Sequence, residues 1–188
     1  TAIPVVFKEV GLPSEGEQGL SEANQNSYYR QLESAFLGEP YTKTVHFEAF
    51  DQPWKDSAPV EPHWGLFTAT REPKEVAKPQ VLHSVVPPMG SFDNLVGRVV
   101  NVRPDQYRVS TYIFAVGSWW MKPTYANPLT TIDPRSNYIT DITTGGVDQL
   151  ATPIRSYLVV PTFNPPYSPP VVDGINVLHS VTSSRPSR

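Results

Sequence analysis

Cysteine is absent from the 188 residues. That excludes disulfides, zinc–thiolate sites and a cysteine nucleophile. It leaves the redox compartment open. Charge is scarce: Asp, Glu, Lys and Arg together make 18% of the chain, and the net charge is −3. Such a balance argues against nucleic acid or an anionic membrane as the main partner. No apolar run approaches the roughly 18 residues of a membrane helix. No basic stretch followed by an apolar one reads as a signal peptide. The first residue is Thr1, not Met, which reads as a processed chain, a truncated one or a fragment. Proline, by contrast, is plentiful at 21 of 188, and hydrophobic residues reach 39%. Proline at that level disfavours long helices and favours extended chain and turns. The length suits one medium domain or two small ones.

The N-terminal third has a distinct rhythm. "IPVVFKE" (3–9) predicts a short buried strand, and "VVFKEVGLPSEG" (5–16) runs from it into a turn. "LSEANQNSYYRQLESAFLG" (20–38) predicts the one convincing helix, with Ser21 as N-cap and Gly38 followed by Pro40 as the stop. Leu20, Tyr28, Leu32, Ala35 and Phe36 supply its expected buried stripe. "KTVHFEAF" (43–50) predicts a second strand. Strand, helix and strand in this order make a parallel βαβ unit. Such a unit cannot bury both strand faces alone. It therefore belongs to a larger α/β domain or docks on a neighbour.

The chain then changes character. "QPWKDSAPVEPHWGLF" is proline-broken and aromatic, and "TATREPKEVAKPQ" (68–80) is polar, reading as a linker or as the end of the first unit. Beyond 80 no helix is predicted. "NLVGRVVNV" (94–102), "YRVSTYIFAV" (107–116), "NYITDI" (137–142) and "IRSYLVV" (154–160) are β-branched and aromatic, and turn residues punctuate them. Short strands at this spacing point to a β-sandwich or barrel. The polar end "HSVTSSRPSR" is expected to fray. No repeat of fixed period stands out.

Four blocks in order carry a resemblance: "VVFKEVGLPSEG", "SEANQNSYYRQL", "HFEAFDQPWK" and "EPHWGLFTATREPK", within residues 3–76. Together they resemble the C-terminal end of glycoside hydrolase family 17, in particular its bacterial and fungal β-1,3-glucanase branch. That family is a (β/α)8 barrel with a retaining mechanism. The resemblance implies that 3–9 is barrel strand seven, 20–38 helix seven and 43–50 strand eight. Glu9 then falls at the nucleophile's position, at the C-terminal end of a barrel strand, where catalytic groups of this fold lie. Glu48, Phe50, Asp51 and Trp54 would line the cleft after strand eight, with Trp54 stacking on a glucosyl ring. The family more often has a small residue, Ser or Thr, and Trp where this chain has Lys8, Val10 and Leu12. Its general acid/base comes from strand four, which has no counterpart in these residues. The chain alone is therefore expected not to hydrolyse glucan, since a retaining glycosidase needs two carboxylates across the bond.

Other residues admit two readings. Glu9 by pattern alone is either a catalytic carboxylate or a surface one. Glu48 and Asp51 are an acid/base pair, substrate contacts or structural hydrogen-bonders. His46 and His63 bracket a long loop without further ligands at metal spacing, and Trp64 reads as packing. Trp119 and Trp120, adjacent in "VGSWWMKPTY", face opposite ways if they lie on a strand. Either one is core and the other an exposed platform for a sugar ring, or both are packing residues. Tyr112, Tyr125 and Tyr138 would extend such a platform if they share a face. Asp133, Asp141 and Asp148 around "TTGG" are turn-formers or calcium ligands.

The expectation is a mixed architecture. It places a partial (β/α)8-barrel segment, strand–helix–strand, at 1–76, a linker at 77–80, an all-β sandwich accessory domain at 81–178 and a flexible tail at 179–188. The expected substrate is β-glucan or a related polysaccharide, contacted by Glu48, Phe50, Asp51, Trp54, Trp119 and Trp120 around Glu9. No metal and no cofactor is expected. The resemblance implies an extracellular or cell-envelope location in a bacterium. The alternative is a non-catalytic protein that binds polysaccharide or assembles with copies of itself.

Overall fold

A computed structural model describes residues 3–36, 39 and 41–187. The chain divides into two compact units, Thr1–Lys78 and Pro79–Arg188.

The first unit begins with strand β1, Val5–Val10, followed by helix α1, Glu22–Ala35, and strand β2, Thr42–His46. β1 and β2 pair in parallel, Val5 opposite Thr42 and Phe7 opposite Thr44, with a register shift before Val10 meets His46. The helix starts where its sequence allows. Ser21 is extended and its side chain accepts a hydrogen bond from the Asn24 N–H at 3.1 Å. Glu22 favours the positive end of the first turn, and no β-branched residue interrupts 22–35. The expected stop at Gly38 and Pro40 lies outside the described residues.

The buried face of α1 differs from the expected stripe. Gln25 and Tyr29, one turn apart, are fully buried, whereas Tyr28, Leu32 and Phe36 are only partly covered and Ala35 is exposed. Polar bonding decides this. The Gln25 amide donates to the Leu12 carbonyl at 2.9 Å and to the Gly65 carbonyl at 3.2 Å, and the Tyr29 hydroxyl donates to the Val10 carbonyl at 3.2 Å. Burial pushes the Tyr29 phenol up to about 12. The stripe on the other side has less to cover it: Val5, Val6 and Phe7 on β1 and Val45 on β2 remain exposed. Strands of parallel sheets are ordinarily covered on both faces. Among the described residues no third strand joins this pair.

The second unit contains β3 Gln80–Val85, β4 Leu95–Val100, β5 Arg108–Ala115, β6 Ser118–Lys122, β7 Leu129–Thr130, β8 Asn137–Thr140, β9 Ile154–Val159 and β10 Val177–Ser183. One sheet runs β10-β9-β5-β6, with β7 also on β5. The other runs β3-β4-β8. All of these pairings are antiparallel. Alternation sets the inward face. On β4, Leu95, Gly97 and Val99 are buried while their neighbours are partly exposed. Leu95 and Val99 join Val81, Tyr138, Val109, Ile113, Ile154 and Leu158 in one core drawn from both sheets. The outer face of the larger sheet holds a second cluster, Tyr112, Met121, Tyr157, Val159 and Val177, with Trp119 and Phe163 packed on it.

Two boundaries differ from expectation. Gln80, placed in a linker, is buried and opens β3. Residues 179–183, placed in a flexible tail, belong to β10, which pairs with β9 through Ser183 opposite Ile154. Beyond the strand Arg185 is buried, and its guanidinium donates to the carbonyls of Pro88, Ser91 and Gln149 at 3.0–3.2 Å. Polar sequence does not mean loose chain when its donors meet buried carbonyls.

A polar seam ties the sheets together. The His83 imidazole sits between the Ser183 hydroxyl at 2.9 Å and the Ser156 hydroxyl at 3.0 Å, and Ser156 in turn bonds Thr111 at 2.9 Å. The Val81 N–H donates to His179 Nδ1 at 3.3 Å. Burial lowers the His83 pKa to about 4, so this ring is neutral at pH 7.

Candidate active site

Glu9 stands one residue before the C-terminal end of β1 and is exposed. It lines a depression of about 400 Å³ with Gly11, Phe47, Glu61 and Trp64. Chain geometry makes this concavity. The Phe47 N–H donates to the Val10 carbonyl at 2.8 Å, so the segment leaving β2 stays clamped to the end of β1. Gly11 permits the approach, because a Cβ there would lie 2.2 Å from the Phe47 carbonyl oxygen. The Phe47 and Trp64 rings then meet edge to face at 5.7 Å, forming an apolar wall beside the carboxylate.

A charged cluster braces that wall. The Glu48 carboxylate accepts from Lys55 Nζ at 3.2–3.3 Å and from the Gln52 amide. Lys55 Nζ also lies 4.7 Å above the Phe47 ring. Glu48 is bound into the second turn of chain as well: its N–H donates to the Trp64 carbonyl at 3.3 Å and its carbonyl accepts from Leu66 N–H at 3.0 Å. A salt-bridged carboxylate of this kind holds shape and charge around the depression.

The structure distributes the remaining expected contacts unevenly. Asp51 is spent on the fold. Its Oδ1 accepts from the Gly65 N–H at 2.9 Å and from Lys74 Nζ at 2.7 Å. Lys74 is buried and also donates to the Ser14 hydroxyl at 2.8 Å. Phe50 leans on Phe67 at 5.6 Å and lies under Arg71, away from Glu9's depression. Trp54 is 75% exposed, a free flat face. The His46 ring packs tilted against Tyr29 at 4.7 Å and His63 lies 3.9 Å from Glu15. No group of three or more metal-ligating side chains occurs among the described residues.

Glu61 is the residue that sequence reasoning passed over. It opens a single helical turn, Glu61–His63, after Pro59, and faces the same depression as Glu9. The signal was present in "VEPHW": an acidic residue followed by proline, pinned between two loop segments. Trp64, read as packing, lines the depression too.

In the second unit, the two tryptophans do face opposite ways. Trp119, opposite Phe114 in the register, packs on it at 5.3 Å and lies under the Arg155 guanidinium at 5.1 Å. Trp120, opposite Ile113, is 43% exposed, and its indole N–H donates to the Ala115 carbonyl at 3.0 Å. The tyrosines do not share a face. Tyr112 and Tyr138 are buried, donating to the Pro166 and Leu82 carbonyls at 2.7 and 3.2 Å. Tyr125 pairs at 5.2 Å with exposed Tyr167. The aspartates hold local structure: Asp133 accepts from Arg135 and Asn137 N–H at 2.8 Å, Asp141 from Thr143 N–H at 2.9 Å, and Asp148 from Lys122 and Gly145.

Sequence comparison finds relatives among proteins that act on β-1,3-glucan. The chain is 35% identical over 82 residues to a glucan 1,3-beta-glucosidase of Arthroderma benhamiae, covering 37% of this chain and 26% of the relative. It is 34% identical over 80 residues to a glucan endo-1,3-beta-glucosidase A of Solanum lycopersicum, covering 38% and 24%. The chain thus spans about a quarter of the length of these relatives. It shows a glucanase-like relationship. No family model matches the chain, and no solved structure does.

Proposed function

We propose that the first unit is the C-terminal strand–helix–strand of a retaining β-1,3-glucan hydrolase barrel, and that Glu9 is its nucleophile. One observation carries the reading. Glu9 stands next to the C-terminal residue of a parallel strand and opens, with Glu61, onto a depression walled by Phe47 and Trp64. Strand C-termini are where barrel enzymes place their chemistry, and the glucanase relatives name the substrate class. The uncovered faces of Val5, Val6 and Phe7 are the surface that further barrel elements would bury.

In this reading the Glu9 carboxylate attacks the anomeric carbon of a glucosyl unit. The bond to the leaving oxygen breaks as an acid from elsewhere in the complete barrel protonates it. Water then hydrolyses the glycosyl ester, its proton passing to the same group. Glu61 accepts hydrogen bonds from sugar hydroxyls, and Trp54 and Trp64 offer faces to pyranose rings. Glu48 with Lys55 holds the wall. Metal takes no part in these steps. Polymeric glucan places the work outside the cell membrane.

Residues 1–188 alone are expected to release no reducing sugar from laminarin, because the acid is not among them. In a longer polypeptide carrying the whole barrel, Glu9→Gln should lower kcat by at least about 10³-fold. Azide should restore sugar transfer in Glu9→Ala as a glucosyl azide of inverted configuration. Unchanged activity in Glu9→Gln would refute the assignment.

A further inference from the structure

The second unit buries an amine against a carboxylate. Lys122 closes β6 of the larger sheet and is 6% exposed. Asp148, 8% exposed, opens the helical turn Asp148–Leu150 on the chain that leaves β8 of the smaller sheet. Lys122 Nζ donates to Asp148 Oδ2 and, at 2.9 Å, to Thr144 Oγ1. Taking two opposite charges out of water is costly even when they are paired. The glucan reading of the first unit makes no use of them.

A second buried pair shows how a plain structural ion pair is built in this chain. Lys74 Nζ has three acceptors: Asp51 Oδ1 at 2.7 Å, Ser14 Oγ at 2.8 Å and the His63 carbonyl at 3.4 Å. Each hydrogen of an ammonium then has a place. Lys122 Nζ has two acceptors among the described residues. Two acceptors match the two hydrogens of a neutral amine, which leaves the nitrogen a lone pair beside the Asp148 carboxyl.

That carboxyl is held unevenly. Oδ2 accepts from the Gly145 N–H at 2.8 Å as well as from Lys122, whereas no donor reaches Oδ1 among the described residues. Thr144 donates its own proton to the Pro123 carbonyl at 2.7 Å, so its oxygen turns lone pairs to Nζ. Arg185, bound to the Gln149 carbonyl at 3.0 Å, interacts with Asp148 by charge. Oδ2 thus sits where developing negative charge is stabilised, and Oδ1 is free to leave. Lys122, Asp148 and Trp120 also line a depression of about 300 Å³, a way out for water.

We propose that the side chains of Lys122 and Asp148 are joined by an amide bond that the folded unit forms by itself. The ammonium gives one proton to Oδ1, leaving an amine and a carboxylic acid. The Nζ lone pair attacks Cγ, and the new N–C bond makes a tetrahedral centre whose Oδ2 is held by the Gly145 N–H. The Cγ–Oδ1 bond then breaks. Oδ1 departs as water, carrying its own proton and one from the nitrogen, relayed by Thr144 Oγ1. One ammonium and one carboxylate become one neutral amide and one water, with no oxidant, reductant or cofactor. The amide keeps the contacts already present, its N–H on Thr144 and its carbonyl on Gly145. Fixed neighbours supply the effective concentration that such a condensation lacks in water. The bond ties the edge strand of the larger sheet to chain leaving the smaller one. It also constrains the unfolded chain between the two residues.

Intact-mass spectrometry of the denatured full chain tests the proposal. The wild type should weigh about 18 Da less than its sequence requires, the mass of one water. Trypsin cuts after Arg108, Arg135 and Arg155 but not after Lys122, which precedes Pro123. Peptides 109–135 and 136–155 should therefore emerge as one branched species. Lys122→Met and Asp148→Ala should each restore the full mass and separate the two peptides. The wild-type mass and peptide map decide the matter alone if a variant fails to fold. A wild type of full sequence mass overturns the proposal. So does a loss of water mapped to peptide 156–188, where Asp173–Gly174 can cyclise to a succinimide, or one that persists in Lys122→Met.

Discussion

The two units of this chain are held together by different means. The first fixes its concave site with a few polar anchors and close backbone approaches: Gln25 to two carbonyls, Lys74 to Asp51 and Ser14, Gly11 against Phe47. Its strand apolar groups remain largely uncovered. The second unit pools Val, Ile, Leu and Tyr from two sheets into a continuous interior. The difference teaches that a parallel strand pair can keep a depression's geometry through hydrogen bonds while its hydrophobic faces stay exposed. The larger antiparallel unit buries its own.

The largest test of the contrast falls in the second unit. Tyr138 is fully buried, bonded to the Leu82 carbonyl and laid against Gly97. Tyr138→Ala should cost about 3–5 kcal/mol, seen as a large drop in urea midpoint for that unit's transition. A urea midpoint unchanged in Tyr138→Ala would show that this interior does not rest on the phenol.

Next comes the anchor of the first unit. Lys74→Met leaves Asp51 part-buried without its cation and should cost about 3 kcal/mol, read by hydrogen exchange at Gly65 and Leu66. Asp51→Leu combined with Lys74→Met should recover part of that loss, because both charges are then gone. A single variant as stable as the wild type would show that the pair is dispensable.

The smallest effect separates the units by pH. His83 has a folded pKa near 4, below its ordinary value of 6.5. The unfolded chain therefore binds the proton more readily. Stability from the neutral ring is complete above about pH 6.5 and is lost as pH falls towards 4, up to about 3 kcal/mol in all. The second unit's melting temperature should fall through that window, and His83→Gln should flatten the fall. An unchanged slope in His83→Gln would remove His83 from the account.

Much of this was legible in the chain itself. Ser21 three residues before Asn24, with an uninterrupted helix-forming run behind it, marked the start of α1. Alternation in "LVGRVV" and β-branched density in "RVSTYIFA" marked β4 and β5. Glu9 at a strand's end was visible from "VVFKEVGLP". Tertiary bonding decided what was not. Gln25 is the deepest polar residue of its helix because two carbonyls from distant loops converge on it, which periodicity does not encode. Asp51 looked like a cleft residue until Lys74, far along the chain, was seen to reach it. β3 and β10 hid in polar company, although both contain the pentapeptide "VLHSV", at 81–85 and 177–181. That short duplication was the readable sign of two strands that share one histidine-and-serine seam.

Gly97 and Tyr138 carry a last consequence. The phenol ring occupies the space that a methyl group on Gly97 would need, 2.2 Å from where it would stand. The two positions therefore hold one shape between them. The Leu82 carbonyl oxygen stands 2.4 Å from the same point, so shrinking the phenol alone does not free the position. Over generations position 97 should therefore stay glycine whatever stands at 138.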